Sequence, residues 1–276
     1  MKKKLLIVVL LGILFLLPVA LYALKNVPAD TRSKASNPNI LPQNITITNL
    51  NSEGFTVNWL TTNPTVGKIY YAKKTDFDRI KIPNLMTAES FDTDLPPMKG
   101  FLPNTHSVTL TGLSPLTEYA VFICNWDSCS NNQLYGMGIA TATGSAVRQG
   151  IGIPMKVKTL APINPPEESK PIFGTLKFTN NKKGPTSLLI MATLKKGASV
   201  SAPLSVSILP TAVQTEIPFS IELANAKLAD LTGNFPIEET DLITVKAFWV
   251  EDAKVKTKQF VYPVSQSFPI KDILAL

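Results

Sequence analysis

From Ile45 onward the chain alternates apolar and polar residues in short runs. Ile45 and Ile47 alternate with Thr46 and Thr48, and Phe55, Val57 and Trp59 with Thr56 and Asn58. Ile69 and Tyr71, Val108 and Leu110, and then Tyr119, Val121 and Ile123 continue the pattern. A period of two places these apolar residues on one face of each strand and leaves the other face to water. Short strands of this kind separated by turn residues predict an antiparallel sandwich over residues 42–160.

A Pro-rich stretch at 161–169, running Ala161-Pro162-Ile163-Asn164-Pro165-Pro166, reads as a stiff, extended connection. Beyond it, residues 170–265 predict a second sandwich. Its strands are expected at 172–179, 188–194, 204–208, 219–223, 242–250 and 256–262. The run Leu188–Leu194 is apolar on both parities, as a central strand covered on both sides would be. Residues 224–231 predict one or two helical turns, and 266–276 a tail. The pattern therefore predicts an all-β fold class, with two antiparallel sandwiches.

The N-terminal 25 residues break the pattern. Lys2, Lys3 and Lys4 precede an uncharged run from Leu5 to Leu24, which Lys25 ends. Twenty helical residues rise about 30 Å, the thickness of a bilayer's hydrocarbon core. The basic flank keeps the start inside and places the rest of the chain outside. Span length favours a retained transmembrane anchor over a cleaved signal peptide, because Leu21 occupies the −3 position relative to Ala23. Cleavage would release a secreted product. Residues 26–41 read as a polar linker.

Composition adds two constraints. Among 276 residues, 45% are hydrophobic and 17% charged, as in a folded chain, and 22 prolines against 14 glycines suit strands with rigid turns. The net charge of +7 owes three charges to the N-terminal lysines. The others are dispersed in pairs such as Lys73-Lys74 and Lys195-Lys196, without the basic stripe of a nucleic-acid binder.

Three features of residues 42–160 resemble the fibronectin type III family: Pro42 before Ile45-Thr46-Ile47, the strand Phe55-Thr56-Val57-Asn58-Trp59, and Leu113-Ser114-Pro115-Leu116-Thr117-Glu118-Tyr119. The resemblance implies that Trp59 packs at the core centre. It also implies that Leu113, Pro115 and Tyr119 build a tyrosine corner, with the Tyr119 hydroxyl aimed back at upstream backbone. Lys156–Leu160 looks like the closing strand. The interval from Trp59 to Tyr119 is long for the family and implies an insertion across 73–105. The integrin-type Arg-Gly-Asp tripeptide is absent, so that mode of adhesion does not carry over. Residues 170–265 look loosely like transthyretin-like or carboxypeptidase-regulatory-like sandwiches, from Phe173-Gly174-Thr175-Leu176, Phe219–Leu223 and Asp241–Val245. They depart from that pattern at Ile217-Pro218, so the likeness implies an all-β, immunoglobulin-like sandwich and no more. The two modules behind an anchor resemble bacterial cell-surface proteins.

Candidate chemistry is sparse. The single histidine, His106, shares parity with Val108 and has no second histidine or Gly-x-Ser-x-Gly elbow to work with, so no catalytic residue is expected. Cys124 and Cys129 are too few for a metal site, and their four-residue spacing is wide for a redox pair. A structural disulfide is the expectation on the oxidising side of a membrane, with two reduced thiols as the alternative. Asp76, Asp78, Asp92 and Asp94 lack the glycine and terminal glutamate of an EF-hand loop and read as solvated charge. Tyr70, Trp126, Tyr135 and Trp249 are aromatic candidates for ligand contact. Of these, Trp126 and Tyr135 lie on the candidate binding loop, 125–152. Neither a cofactor nor a metal is expected. The reading is a non-enzymatic surface-display, adhesion or protein-interaction module, facing a protein or glycan of the cell envelope and held in the membrane through residues 5–24. The alternatives are a carbohydrate or cell-wall binding module and an accessory domain of an envelope hydrolase.

Overall fold

The computed structural model describes residues 41–77, 102–124, 154–162, 168–178, 185, 187–209 and 216–266, together with the backbone of 90–91 and 270–275. The expected membrane span, Leu5–Leu24, and the linker before Leu41 lie outside them. Among the described residues no helix is long and apolar enough to cross a membrane.

The first sandwich packs a three-stranded sheet on a four-stranded one. Strands β1 (Gln43–Thr48), β2 (Phe55–Leu60) and β5 (Thr105–Leu110) form the order β1-β2-β5. Strands β3 (Lys68–Lys73), β4 (Ser90–Phe91), β6 (Glu118–Cys124) and β7 (Met155–Lys158) form β4-β3-β6-β7. Every pairing is antiparallel. The alternating residues meet where the period of two sends them: Phe55, Val57, Trp59, Ile69, Val108, Tyr119, Val121 and Ile123 share one buried core.

The second sandwich has a larger sheet in which β9 (Leu188–Lys196) is central. On one side of it lie β10 (Ser199–Val200) and β11 (Leu204–Ile208). On the other come β13 (Leu242–Glu251) and then β14 (Lys254–Pro263). Asp252 and Ala253 both take positive φ, 52° and 55°, as a two-residue hairpin between twisted strands demands. The facing sheet is β12 (Glu216–Glu222), β8 (Pro171–Lys177) and β15 (Ile270–Ala275). Here the structure departs from expectation. The segment expected as a tail carries β15, which pairs with β8 in parallel. The turns expected over 224–231 reduce to one 3-10 turn, Leu223–Asn225, capped by Glu222. In the β12–β8 ladder Phe219 sits opposite Gly174, and a Cβ there would lie 2.3 Å from the Phe219 ring. The glycine makes room for the aromatic face.

The largest departure concerns the outer faces. The polar positions of β2 and β5 were expected in water, yet Thr56, Asn58, Thr105 and Ser107 are buried. Strand β5 runs against β9, β11 and β13, so the outer face of the first sandwich lies on the outer face of the second. Leu60, out of phase with the Trp59 core and fully buried, packs with Leu189 and Met191 and with the partly buried Phe248, Val250 and Val255. This contact explains why β9 is apolar on both parities. Leu188, Ile190, Ala192 and Leu194 serve their own core, while Leu189 and Met191 serve the junction.

Beside this apolar contact the junction is polar and hydrogen-bonded. The Asn49 side chain treats Ser205 as a neighbouring strand would: its Oδ1 accepts from the Ser205 N–H at 3.0 Å and its Nδ2 donates to the Ser205 carbonyl at 3.1 Å. The Asn49 N–H donates to the Pro203 carbonyl at 3.1 Å. Asn58 Nδ2 donates to Thr48 Oγ1 at 2.7 Å, and Thr48 shares a 2.6 Å hydrogen bond with Ser205. Ser187 Oγ accepts from the N–H groups of Asn104 and Thr105 at 3.0 and 2.9 Å. Buried polar groups satisfied in this way hold a specific register, because breaking one partner leaves the other buried and unpaired. The Pro-rich connection thus joins two bodies that share one interface.

Candidate functional site

The predicted residues of the first sandwich sit in its framework. Trp59 is fully buried and stacks on His106, with ring centroids 4.9 Å apart and planes at 17°. His106 is itself fully buried, and its Nε2 lies 3.1 Å from Thr61 Oγ1. An imidazole enclosed by an indole and a threonine offers no substrate access. Gly67 lets the rings lie there, because a Cβ at that position would come within 2.5 Å of Trp59 and 2.6 Å of His106. The alternation pattern carried no sign of this requirement.

At the bend before β6 the main-chain N–H of Ser114 donates to the Tyr119 hydroxyl at 2.8 Å. Thr159 completes the corner: its hydroxyl donates to the Ser114 carbonyl at 2.7 Å and accepts from the Thr117 N–H at 3.0 Å. Leu113 is buried beneath the corner, and Thr117 Oγ1 donates to the Pro115 carbonyl at 2.9 Å. Tyr71 meets Tyr119 edge-on at 6.1 Å, and burial together with that neighbour raises the Tyr71 pKa.

The remaining expected positions separate. Cys124 is fully buried and disulfide-bonded. Cys129 lies outside the described residues, as do Trp126, Tyr135 and the loop that holds them. Trp249 is a core residue of the second sandwich, 8% exposed, and not a surface aromatic. Tyr70 is half-buried on β3. Asp76 sits in a short helical turn, Lys74–Phe77, while Asp78, Asp92 and Asp94 lie outside the described residues.

A different site emerges at the junction. The turn between β1 and β2 (49–53), the start of β11 (204–206) and the end of β12 with the turn after it (220–222, 225 and 227) enclose a cleft of about 410 Å³. That is the size range of small-ligand sites. Its lining combines amides and hydroxyls, among them Asn51, Ser52, Ser220 and Asn225, with two carboxylates and one lysine. Glu222 is held in place by Ser169 Oγ and by the N–H groups of Lys170 at 2.6 Å and Ala224 at 2.9 Å. Burial pushes the Glu222 pKa up, but these three hydrogen bonds outweigh it and the group titrates below its usual range. Glu53 is exposed at the rim.

Lys227 is the unusual member. It is only 8% exposed, its Nζ donates to the Asn234 side-chain oxygen, and burial lowers its pKa. Among the described residues no carboxylate forms an ion pair with it. Lysine is seldom buried without a counter-charge, because desolvating an ammonium costs several kcal/mol. The backbone fixes its place: the Ala202 N–H donates to the Lys227 carbonyl at 2.8 Å, and Lys227 bridges Asn234. No linear motif marks this site, since its walls come from segments some 150 residues apart in sequence.

No family model matches the chain, and no curated protein does. Similar solved structures include a two-domain fibronectin type III segment from chicken tenascin, 10% identical, covering 80% of this chain and 98% of that one with a TM-score of 0.23. The FN1–FN3 domains of chicken CNTN1 are 11% identical, covering 83% of this chain and 67% of that one with a TM-score of 0.22. Strand order, the buried Trp59 and the tyrosine corner at Tyr119 together give the first sandwich a fibronectin type III-like fold.

Proposed function

We propose that the chain is a non-enzymatic interaction module, tethered to a membrane by Leu5–Leu24 and presenting two sandwiches as one stiff unit on the outer side. The observation that carries this reading is the junction, where Leu60, Leu189 and Met191 and the Asn49–Ser205 pairing join the two bodies. Independent domains on a flexible connector would not hold surfaces from both in register. Stiff docking lowers the ordering cost of recognition by a surface that both contribute to. The test is retention of envelope components by the immobilised full chain. A specific protein or glycan partner is expected. Turnover of an envelope polymer by the chain alone would overturn the reading. For the tether, the full chain should resist alkaline extraction from membranes. Recovery as a shortened product free in the supernatant would show cleavage instead.

The second reading, carbohydrate or cell-wall binding, is favoured by one feature: the junction cleft is lined by amides, hydroxyls and carboxylates, the groups that hydrogen-bond sugar hydroxyls.

A further inference from the structure

We propose that the junction cleft binds an acidic saccharide, its carboxylate received by Lys227 Nζ and its ring hydroxyls by the amide, hydroxyl and carboxylate groups of the walls. The inference rests on the carbohydrate-binding reading and supplies its ligand class.

Three observations carry it. The first is Lys227, a largely buried residue that lines the cleft and whose ammonium meets a neutral amide oxygen rather than a carboxylate. An ammonium has three donors, and Asn234 is the one acceptor shown for them. A ligand carboxylate supplies the missing counter-charge through a charge-assisted bond, roughly twice as strong as a neutral one. The second is the composition of the walls. Asn51, Ser52, Ser220 and Asn225 offer donors and acceptors on short side chains, and Glu53 and Glu222 can accept from hydroxyl groups. Those two carboxylates also confine the ligand to a single negative group, set at the lysine. The third argues against an extended peptide. The wall strand β12 is a sheet edge, but Pro218 within it lacks the N–H that an added strand would need.

The experiment titrates the full chain with a uronate disaccharide, with its neutral methyl ester, and with an acetylated tetrapeptide bearing a free carboxylate. The uronate is expected to bind and the ester to bind at least about tenfold more weakly. Lys227→Gln should reduce uronate affinity at least about tenfold, to the level of the ester on the parent protein. Asn234→Asp, an exposed change, gives Lys227 an internal counter-ion. It should weaken uronate binding at least about tenfold in a protein that melts no earlier than the parent. Equal binding of acid and ester, tighter binding of the tetrapeptide, or full uronate affinity in Asn234→Asp would each overturn the proposal. If the uronate fails to bind at roughly 10 mM while the chain still retains an envelope partner, the ligand assignment falls and the interaction-module reading stands. If no partner is retained either, both fall.

Discussion

Replacing Leu60 with alanine separates a docked pair of sandwiches from two independent ones. Leu60 lies at the end of β2, out of phase with Phe55, Val57 and Trp59, so an isolated first sandwich would expose it. In the docked pair it is fully buried against Leu189 and Met191. Truncation removes about three carbons' worth of apolar burial, near 2.4 kcal/mol at ~0.8 kcal/mol per methylene. The rigid β9 and β13 behind it limit collapse, and a residual cavity raises the loss to about 3–4 kcal/mol. The same change on an exposed surface would cost under about 0.5 kcal/mol. Urea melts of residues 38–276 followed by tryptophan fluorescence measure the difference, with the buried Trp59 and Trp249 reporting from the two cores. A loss below about 0.5 kcal/mol would refute the docking.

Tyr119→Phe strips the acceptor from the Ser114 N–H and should cost about 1–2 kcal/mol in the same melts, whereas an unchanged midpoint would deny the corner its role. Gly67→Ala drives a methyl into the Trp59–His106 stack and should cost at least about 1–3 kcal/mol, with near-UV circular dichroism altered; a neutral outcome would mean the rings have room to shift. Lys227→Met should stabilise the protein at neutral pH, because the folded state holds a charge that burial disfavours. Since the folded pKa is lowered, the parent gains stability as pH rises through it toward the unfolded value, and the gap between the two proteins should close over that window. A gap that widens with pH would reverse the assignment.

The strands of both sandwiches were legible because a period of two survives in any half-buried sheet. What covers their outer faces was not. Thr56, Asn58 and Ser107 read as a solvated face, and a polar face buried against another polar face has the same composition. One clue existed, in Leu189 and Met191, whose parity required a cover that their own sandwich does not supply. The sequence of β15 carries no strand signal, because Ile270-Lys271-Asp272-Ile273-Leu274 lacks a period of two. Its parallel pairing with β8 also leaves no local turn signal. The cleft was hidden for a related reason. Asn49, Ser205 and Lys227 are ordinary surface types singly, and their significance comes from long-range docking.

The central claim, that the two sandwiches form one body, is tested most directly by a distance between them. Leu116 in the first sandwich and Val261 in the second are 60% and 51% exposed, and Cys124 is already disulfide-bonded. Spin labels on Leu116→Cys and Val261→Cys, measured by pulsed electron resonance, should give a single narrow distance distribution that persists in urea up to the unfolding transition. A broad or multi-peaked distribution in native buffer would contradict the docked arrangement.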